Sequence, residues 1–202
     1  LKRRDLTINA MAKDNKNNLI DPFDGMIDLR NKILRHVSDA FKEDPVRILR
    51  TAKFAARFLS LKFKIDPSTL KIMSEMVEDG EINSLIPDRI WKETQEALSG
   101  ENPHIFFEVL KKCNALQILY PEIIIDKKPN TRAFDILKKS AKISDVPEVR
   151  FAALVYKFFG SEKLDSNKAL LNQKKENVIA INEISQRLPI PSKYKDLAIL
   201  VA

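Results

Sequence analysis

The 202-residue sequence has a single cysteine, Cys113. One thiol excludes a disulfide framework within the chain and any cysteine-based metal site. Apolar neighbours on a predicted helix mark Cys113 as a buried, reduced thiol. Histidine is almost as scarce. His36 and His104 are the only two, and neither has the neighbours of a zinc site. Each reads as a surface or satisfied core residue. No Ser/His/Asp or Cys/His set can be assembled. There are four glycines and no regular alternation of apolar and polar residues, which argues against an extensive sheet. A glycine-rich phosphate loop is absent. No signal-peptide pattern and no apolar run long enough to span a bilayer can be found. The expected location is therefore the cytosol, with no membrane partner.

What is present is enough for a core and for a polyanion. Hydrophobic residues make up 44% of the chain, sufficient for one or two domains. Lys+Arg number 35 against Asp+Glu 28, a formal net charge of +7. That excess is a moderate bias toward nucleic acid and says nothing about fold. The chain starts at Leu1 and stops at Ala202 inside an apolar run, so both ends read as cut.

The most informative stretch runs from Glu43-Asp44-Pro45-Val46-Arg47 through Arg50 and Lys53 to Arg57. Asp44 suits a helix N-cap, because its carboxylate can accept from orphan backbone N–H groups. Pro45 suits the first helical position, where no donor is needed. Ile48, Ala52, Ala55 and Leu59 recur at helical spacing as an apolar stripe. Arg47, Arg50, Lys53 and Arg57 fall on another face. One reading is a capped amphipathic helix with a basic surface. The other is a nucleotide reader: an aspartate accepts from a base amino group, and an arginine one turn on donates to a ring nitrogen or carbonyl. The remaining cations would hold phosphates.

Along the chain, residues 1–12 read as a short helix with Leu6, Asn9 and Ala10 on one face. A polar turn follows, then short strands over 19–21 and 33–37 around a helical turn at 26–31. Strands this short need a larger sheet to sit on, expected upstream. From Ser38 onward everything reads as helix. Three starts pair a capping residue with proline: Asp44-Pro45, Asp66-Pro67 and Asn102-Pro103. Further helices are predicted over 89–98, 105–113, 115–120, 131–143, 146–159, 167–172, 174–188 and 192–202. Lys127-Lys128-Pro129-Asn130 is the best linker candidate, polar and turn-rich.

Three segments resemble the class II tRNA nucleotidyltransferase (bacterial CCA-adding) family. Arg3-Arg4-Asp5-Leu6-Thr7-Ile8-Asn9-Ala10-Met11-Ala12 is similar to its ribose and phosphate motif. Asp21-Pro22-Phe23-Asp24-Gly25-Met26-Ile27-Asp28-Leu29, with Ile33-Leu34-Arg35, is similar to its hinge between head and neck. Glu43-Asp44-Pro45-Val46-Arg47-Ile48-Leu49-Arg50 is similar to its base-reading motif. A looser likeness continues through Trp91-Lys92-Glu93 and Pro121-Glu122-Ile123. The alternatives are a poly(A) polymerase, which shares the basic motifs but runs into aromatic residues where Met11-Ala12 stands here, and a non-catalytic helical RNA-binding module.

The resemblance implies a mainly α fold, with helical neck and body domains and a small α+β remnant of a nucleotidyltransferase head. Residues 1–37 would be the C-terminal part of that head, 38–126 the neck and start of the body, and 127–202 the body and start of the tail. It implies template-independent addition of CCA to tRNA from CTP and ATP. Asp44 and Arg47 would read the base. Arg4, Arg50 and Lys53 would hold phosphate, and Asp5 and Asn9 would contact the ribose. The family has Arg where Lys53 stands, and Lys lacks the planar fork. Mg²⁺ would be bound by head carboxylates expected upstream of Leu1, so this chain alone would be inactive. A His-Asp phosphohydrolase pair in the body of many bacterial members would fall on Tyr156-Lys157, neither of them a divalent-metal ligand of the needed kind.

Overall fold

Helices follow the start signals in the sequence, whereas the strands follow partners that no local signal reveals. The computed structural model describes residues 1–125, 128–129, 131–156 and 167–202. A 3-10 turn at Thr7–Asn9 leads into β1 (Ala12–Lys13), which pairs antiparallel with β2 (Leu19–Ile20). The helix expected over 1–12 is therefore one turn and a strand. Helix α1 (Gly25–Asn31) follows, then β3 (Ile33–Leu34).

The hinge-like segment is held by its own carboxylates. Asp21 accepts from the backbone N–H groups of Gly25 (2.7 Å) and Met26 (2.8 Å). Gly25 is needed because a Cβ there would lie 2.3 Å from the Thr7 carbonyl oxygen. Buried Asp28 accepts from the Thr7 hydroxyl at 2.7 Å and from Arg35 Nε at 3.1 Å, and Arg35 also reaches Asp66 at 2.8 Å. This polar chain ties the N-terminal turn to the segments that flank α2 (Val46–Arg57).

β4 (Lys64–Ile65) pairs parallel with β3. Parallel neighbours need a crossover, and α2 supplies it. Residues after Ser38 are thus not all helical, and the short strands find partners within the chain itself. α3 (Pro67–Glu78) starts on Asp66, whose carboxylate accepts from Ser68 N–H at 2.9 Å. α4 (Pro87–Leu98) begins at a proline two residues before the predicted start, and α5 (Pro103–Lys112) starts after Asn102 without a side-chain cap. The remaining elements are α6 (Leu116–Leu119), β5 (Ile124–Ile125), β6 (Lys128–Pro129), α7 (Thr131–Ile143), α8 (Pro147–Tyr156), α9 (Asn167–Arg187) and α10 (Ser192–Val201). The expected break near residue 173 is absent, and α9 runs through it. The linker candidate forms strand β6 at Lys128–Pro129, paired antiparallel with β5; its residues 127 and 130 lie outside the described residues.

The apolar stripe of α2 is wider than predicted at its start and shorter at its end. Val46, Ile48, Leu49, Ala52, Ala55 and Ala56 are buried, but Leu59 lies past the helix and is exposed. α2 packs on α4 and α5, α5 on α7, α7 on α8, and α8 on α10. One apolar core runs through all of them, around Phe106, Phe107, Tyr120, Phe151 and Tyr194. Each large aromatic buried there contributes on the order of 3–5 kcal/mol by comparison with truncation to alanine. The core therefore crosses both boundaries drawn from the sequence. Cys113 is fully buried, and burial pushes its thiol up to about 11. His36 Nδ1 lies 2.9 Å from the Thr69 hydroxyl, so it is a satisfied residue. His104 differs from expectation: it is buried with Nδ1 lacking a partner among the described residues.

Candidate nucleotide-binding cleft

Capping places Asp44 where α2 opens onto the N-terminal turn. Its Oδ1 accepts from Val46 N–H at 3.2 Å, and Pro45 already has helical backbone angles (φ −59°, ψ −19°). From there, i to i+3 spacing carries Arg47 and Arg50 along one side of the helix. The N-terminal turn supplies the facing wall. Together they form an open cleft of about 660 Å³, lined by Arg3, Arg4, Asp5, Asn9, Asp44, Arg47 and Arg50, with Phe54 and the α4 residues Arg89, Lys92 and Glu93. Six cationic side chains meet three carboxylates, so the cleft favours an anion.

Each carboxylate is matched to a cation. Asp5 is 5% exposed; its Oδ1 accepts from Leu6 N–H (2.9 Å) and Asn9 Nδ2 (3.1 Å), and its Oδ2 from Arg50 Nε (2.7 Å). Burial alone would push the Asp5 carboxyl up, but hydrogen bonds from Asn9 and Arg50 and the Arg50 charge outweigh it and hold it below its usual range. Arg50 loses some preference for its charge by burial and regains more from Asp5. Its guanidinium also lies 6.0 Å from the Phe54 ring centroid. Asp44 takes both ends of the Arg89 fork, Nη1 on Oδ1 at 3.0 Å and Nη2 on Oδ2 at 2.8 Å. Partial burial opposes its ionisation, and the hydrogen bonds from Arg89 and Val46 again prevail. Glu93 is paired with Lys53 at 2.5 Å.

Arg47 does not pair with Asp44. Its guanidinium donates to the carbonyl oxygens of Ala40 and, at 2.6 Å, of Arg3. Among the described residues, Arg4 and Lys92 have no ion-pair partner, and both are exposed at the cleft. Lys53 is the one predicted site residue outside the cleft lining. It sits in an adjoining depression that shares Phe54, between Glu93 and Glu96. Nothing local in the sequence singles out Arg89, whose partner lies 45 residues away. The Trp91-Lys92-Glu93 likeness was the only nearby signal.

Neither the cleft nor its surroundings fit a divalent metal. Among the described residues, no group of three or more His, Cys, Asp or Glu side chains is placed to hold one. Each carboxylate of the cleft already faces an Arg or Lys. At the end of α8, Tyr156 is exposed, and Lys157 lies outside the described residues.

Residues 1–35 match the family described as the poly(A) polymerase head domain, and residues 62–125 the one described as the probable RNA and SrmB-binding site of polymerase A. All of the chain aligns, at 42% identity, with 52% of the multifunctional CCA protein of Shewanella frigidimarina. It aligns equally well with 53% of the protein of that name from Thioalkalivibrio sulfidiphilus. In these segments and along its whole length the chain is similar to the tRNA nucleotidyltransferase/poly(A) polymerase family. It spans about half the length of the curated relatives it matches. A solved structure described as a tRNA-processing enzyme with CTP superimposes with a TM-score of 0.69 at 27% identity, covering 97% of this chain and 52% of that one. The mainly helical fold with small α+β elements at the N-terminus is thus shared with that tRNA-processing enzyme over the part it matches. No helix among the described residues is long and apolar enough to cross a membrane.

Proposed function

We propose that this chain carries the nucleotide-selecting part of an enzyme that adds CCA to tRNA 3′ ends from CTP and ATP. The observation that carries the reading is convergence. Arg4, Asp5 and Asn9 lie some forty residues from Asp44, Arg47 and Arg50, yet all six line one cationic cleft. The curated relatives are named multifunctional CCA proteins, and one structural relative is described with CTP. Residues 1–37 then belong to the head, 38–126 to the neck and early body, and 127–202 to the body and early tail. The tRNA is held through shape and phosphate contacts, and the enzyme works in the cytoplasm.

Within the cleft, Asp44 accepts from the exocyclic amino group of cytosine or adenine, and Arg47 donates to the adjacent ring nitrogen. Uracil and guanine present a carbonyl where the amino group would be, and it meets the carboxylate with like polarity. Arg4 and Arg50 hold the triphosphate, with Lys53 adding charge from the neighbouring depression. Asp5 orients Arg50 and, with Asn9, faces the ribose. Mg²⁺, which the family implies, supplies charge stabilisation in phosphoryl transfer. The carboxylates here do not fit it, so it is held by other residues of the enzyme.

The test is incorporation of each of the four nucleotides into tRNA lacking CCA by the full-length gene product, its Asp44→Asn and its Arg47→Ala variants. Use of CTP excludes a poly(A) polymerase. Asp44→Asn keeps a capping oxygen, so it should cost little stability, yet it should admit UTP and GTP because an amide can donate to a carbonyl. Unchanged selectivity in both variants would overturn the base-reading assignment.

A further inference from the structure

Asp44 does not face the cleft alone. A carboxylate offers about four acceptor positions, and three N–H groups already take theirs: Val46 N–H and Arg89 Nη1 on Oδ1, and Arg89 Nη2 on Oδ2. One position is left, on Oδ2. Two parallel hydrogen bonds from a planar guanidinium fix the rotation of a carboxylate about its Cβ–Cγ bond, which a single bond cannot do. They also keep it ionised, so it can accept from a base and never donate to one.

The pair is an expensive way to gain stability. The two side chains are 46% and 32% exposed, and exposed pairs contribute little to folding. Arg89 is also set firmly. It lies in the first turn of α4, directly before buried Ile90 and Trp91, and so stands on the core rather than on a loop.

We propose that Arg89 is a positioning residue for base selection, aiming the free acceptor position of Asp44 and locking its polarity. The inference rests on the base-reading role of Asp44 given above. Without the fork, the carboxylate can turn its oxygens away from an incoming carbonyl, and the penalty against uracil and guanine falls. A lysine at this position restores charge but not the two-point hold.

The experiment compares kcat/KM for CTP against UTP, and ATP against GTP, in the full-length gene product and its Arg89→Ala, Arg89→Lys, Asp44→Asn and doubly substituted Asp44→Asn/Arg89→Ala forms. In Arg89→Ala both ratios should fall on the order of tenfold, chiefly through KM, with a melting temperature near that of the wild type. Arg89→Lys should remain close to Arg89→Ala. The double variant should select no worse than Asp44→Asn, since Arg89 acts only through Asp44. Wild-type ratios in Arg89→Ala, or full recovery in Arg89→Lys, would overturn the inference. If Asp44→Asn relaxes base choice while Arg89→Ala does not, Arg89 has no part in selection and the reading of Asp44 stands. If Asp44→Asn changes nothing, the base-reading assignment fails and this inference fails with it.

Discussion

Arg150 and Arg47 both spend their guanidinium groups on main-chain carbonyls, in opposite settings. Arg150 on α8 is 4% exposed and donates to Leu98 and Gly100 at the end of α4, to Ala141 on α7 and to Ser144 beyond it. It closes the ends of two helices at once, α4 and α7, where orphan carbonyls otherwise lack partners. Arg47 donates to Ala40 and Arg3 at the rim of an open cleft. With five N–H donors on a guanidinium, it keeps several for a ligand. Water can replace Arg47 on its carbonyls more readily than it can replace Arg150 on the buried carbonyl of Leu98. The same residue type is a fastening in one region and an available hand in the other, and burial is what separates them.

Three substitutions sharpen or break that contrast. Arg150→Ala has the largest expected effect: stability should fall by about 3 kcal/mol, because the buried carbonyl of Leu98 and three part-buried ones lose their donor and an unsatisfied buried group costs about 1–3 kcal/mol. Denaturant unfolding would show it, and a loss under 1 kcal/mol would mean that water reaches these helix ends. Asp5→Asn sits between the two cases, with a buried carboxylate facing a half-exposed arginine. A loss of about 1–2 kcal/mol is expected at neutral pH, since hydrogen bonds to charged groups exceed neutral ones. The sign with pH follows from the lowered Asp5 carboxyl. Its contribution is complete above the ordinary aspartate range of about 4 and is lost as pH falls through the lower folded value. Melting temperatures of the wild type and Asp5→Asn should converge in acid; a gap that persists there would assign the effect to packing instead. Arg47→Ala has the smallest effect on stability, under about 1 kcal/mol, while its nucleotide selectivity changes. Destabilisation comparable with Arg150→Ala would make Arg47 a fastening too.

Much of the candidate site could be read along the chain because its signals are local. Asp44-Pro45 marks a helix start whatever surrounds it, and i to i+3 spacing then puts Arg47 and Arg50 on one side. Asp66-Pro67 works in the same way. The short elements mislead for the same reason: over residues 1–12 the pattern fits a helix locally, but only Thr7–Asn9 makes a 3-10 turn, and pairing with Leu19–Ile20 draws Ala12–Lys13 into a strand.

Local chemistry therefore indicated the class of fold, the position of α2 and the candidate residues of the cleft, since caps, prolines and periodicity act within a few residues. Pairing across distance had to come from the folded chain. Nothing near Asp44 announces Arg89, nothing near Asp5 announces Arg50, and nothing near Lys53 announces that Glu93 and Glu96 draw it out of the cleft. Charged side chains carry no periodic signature for a partner some forty residues away. Which carboxylate meets which cation is decided by how α2 and α4 pack and how the N-terminal turn is tied down by Asp28 and Gly25.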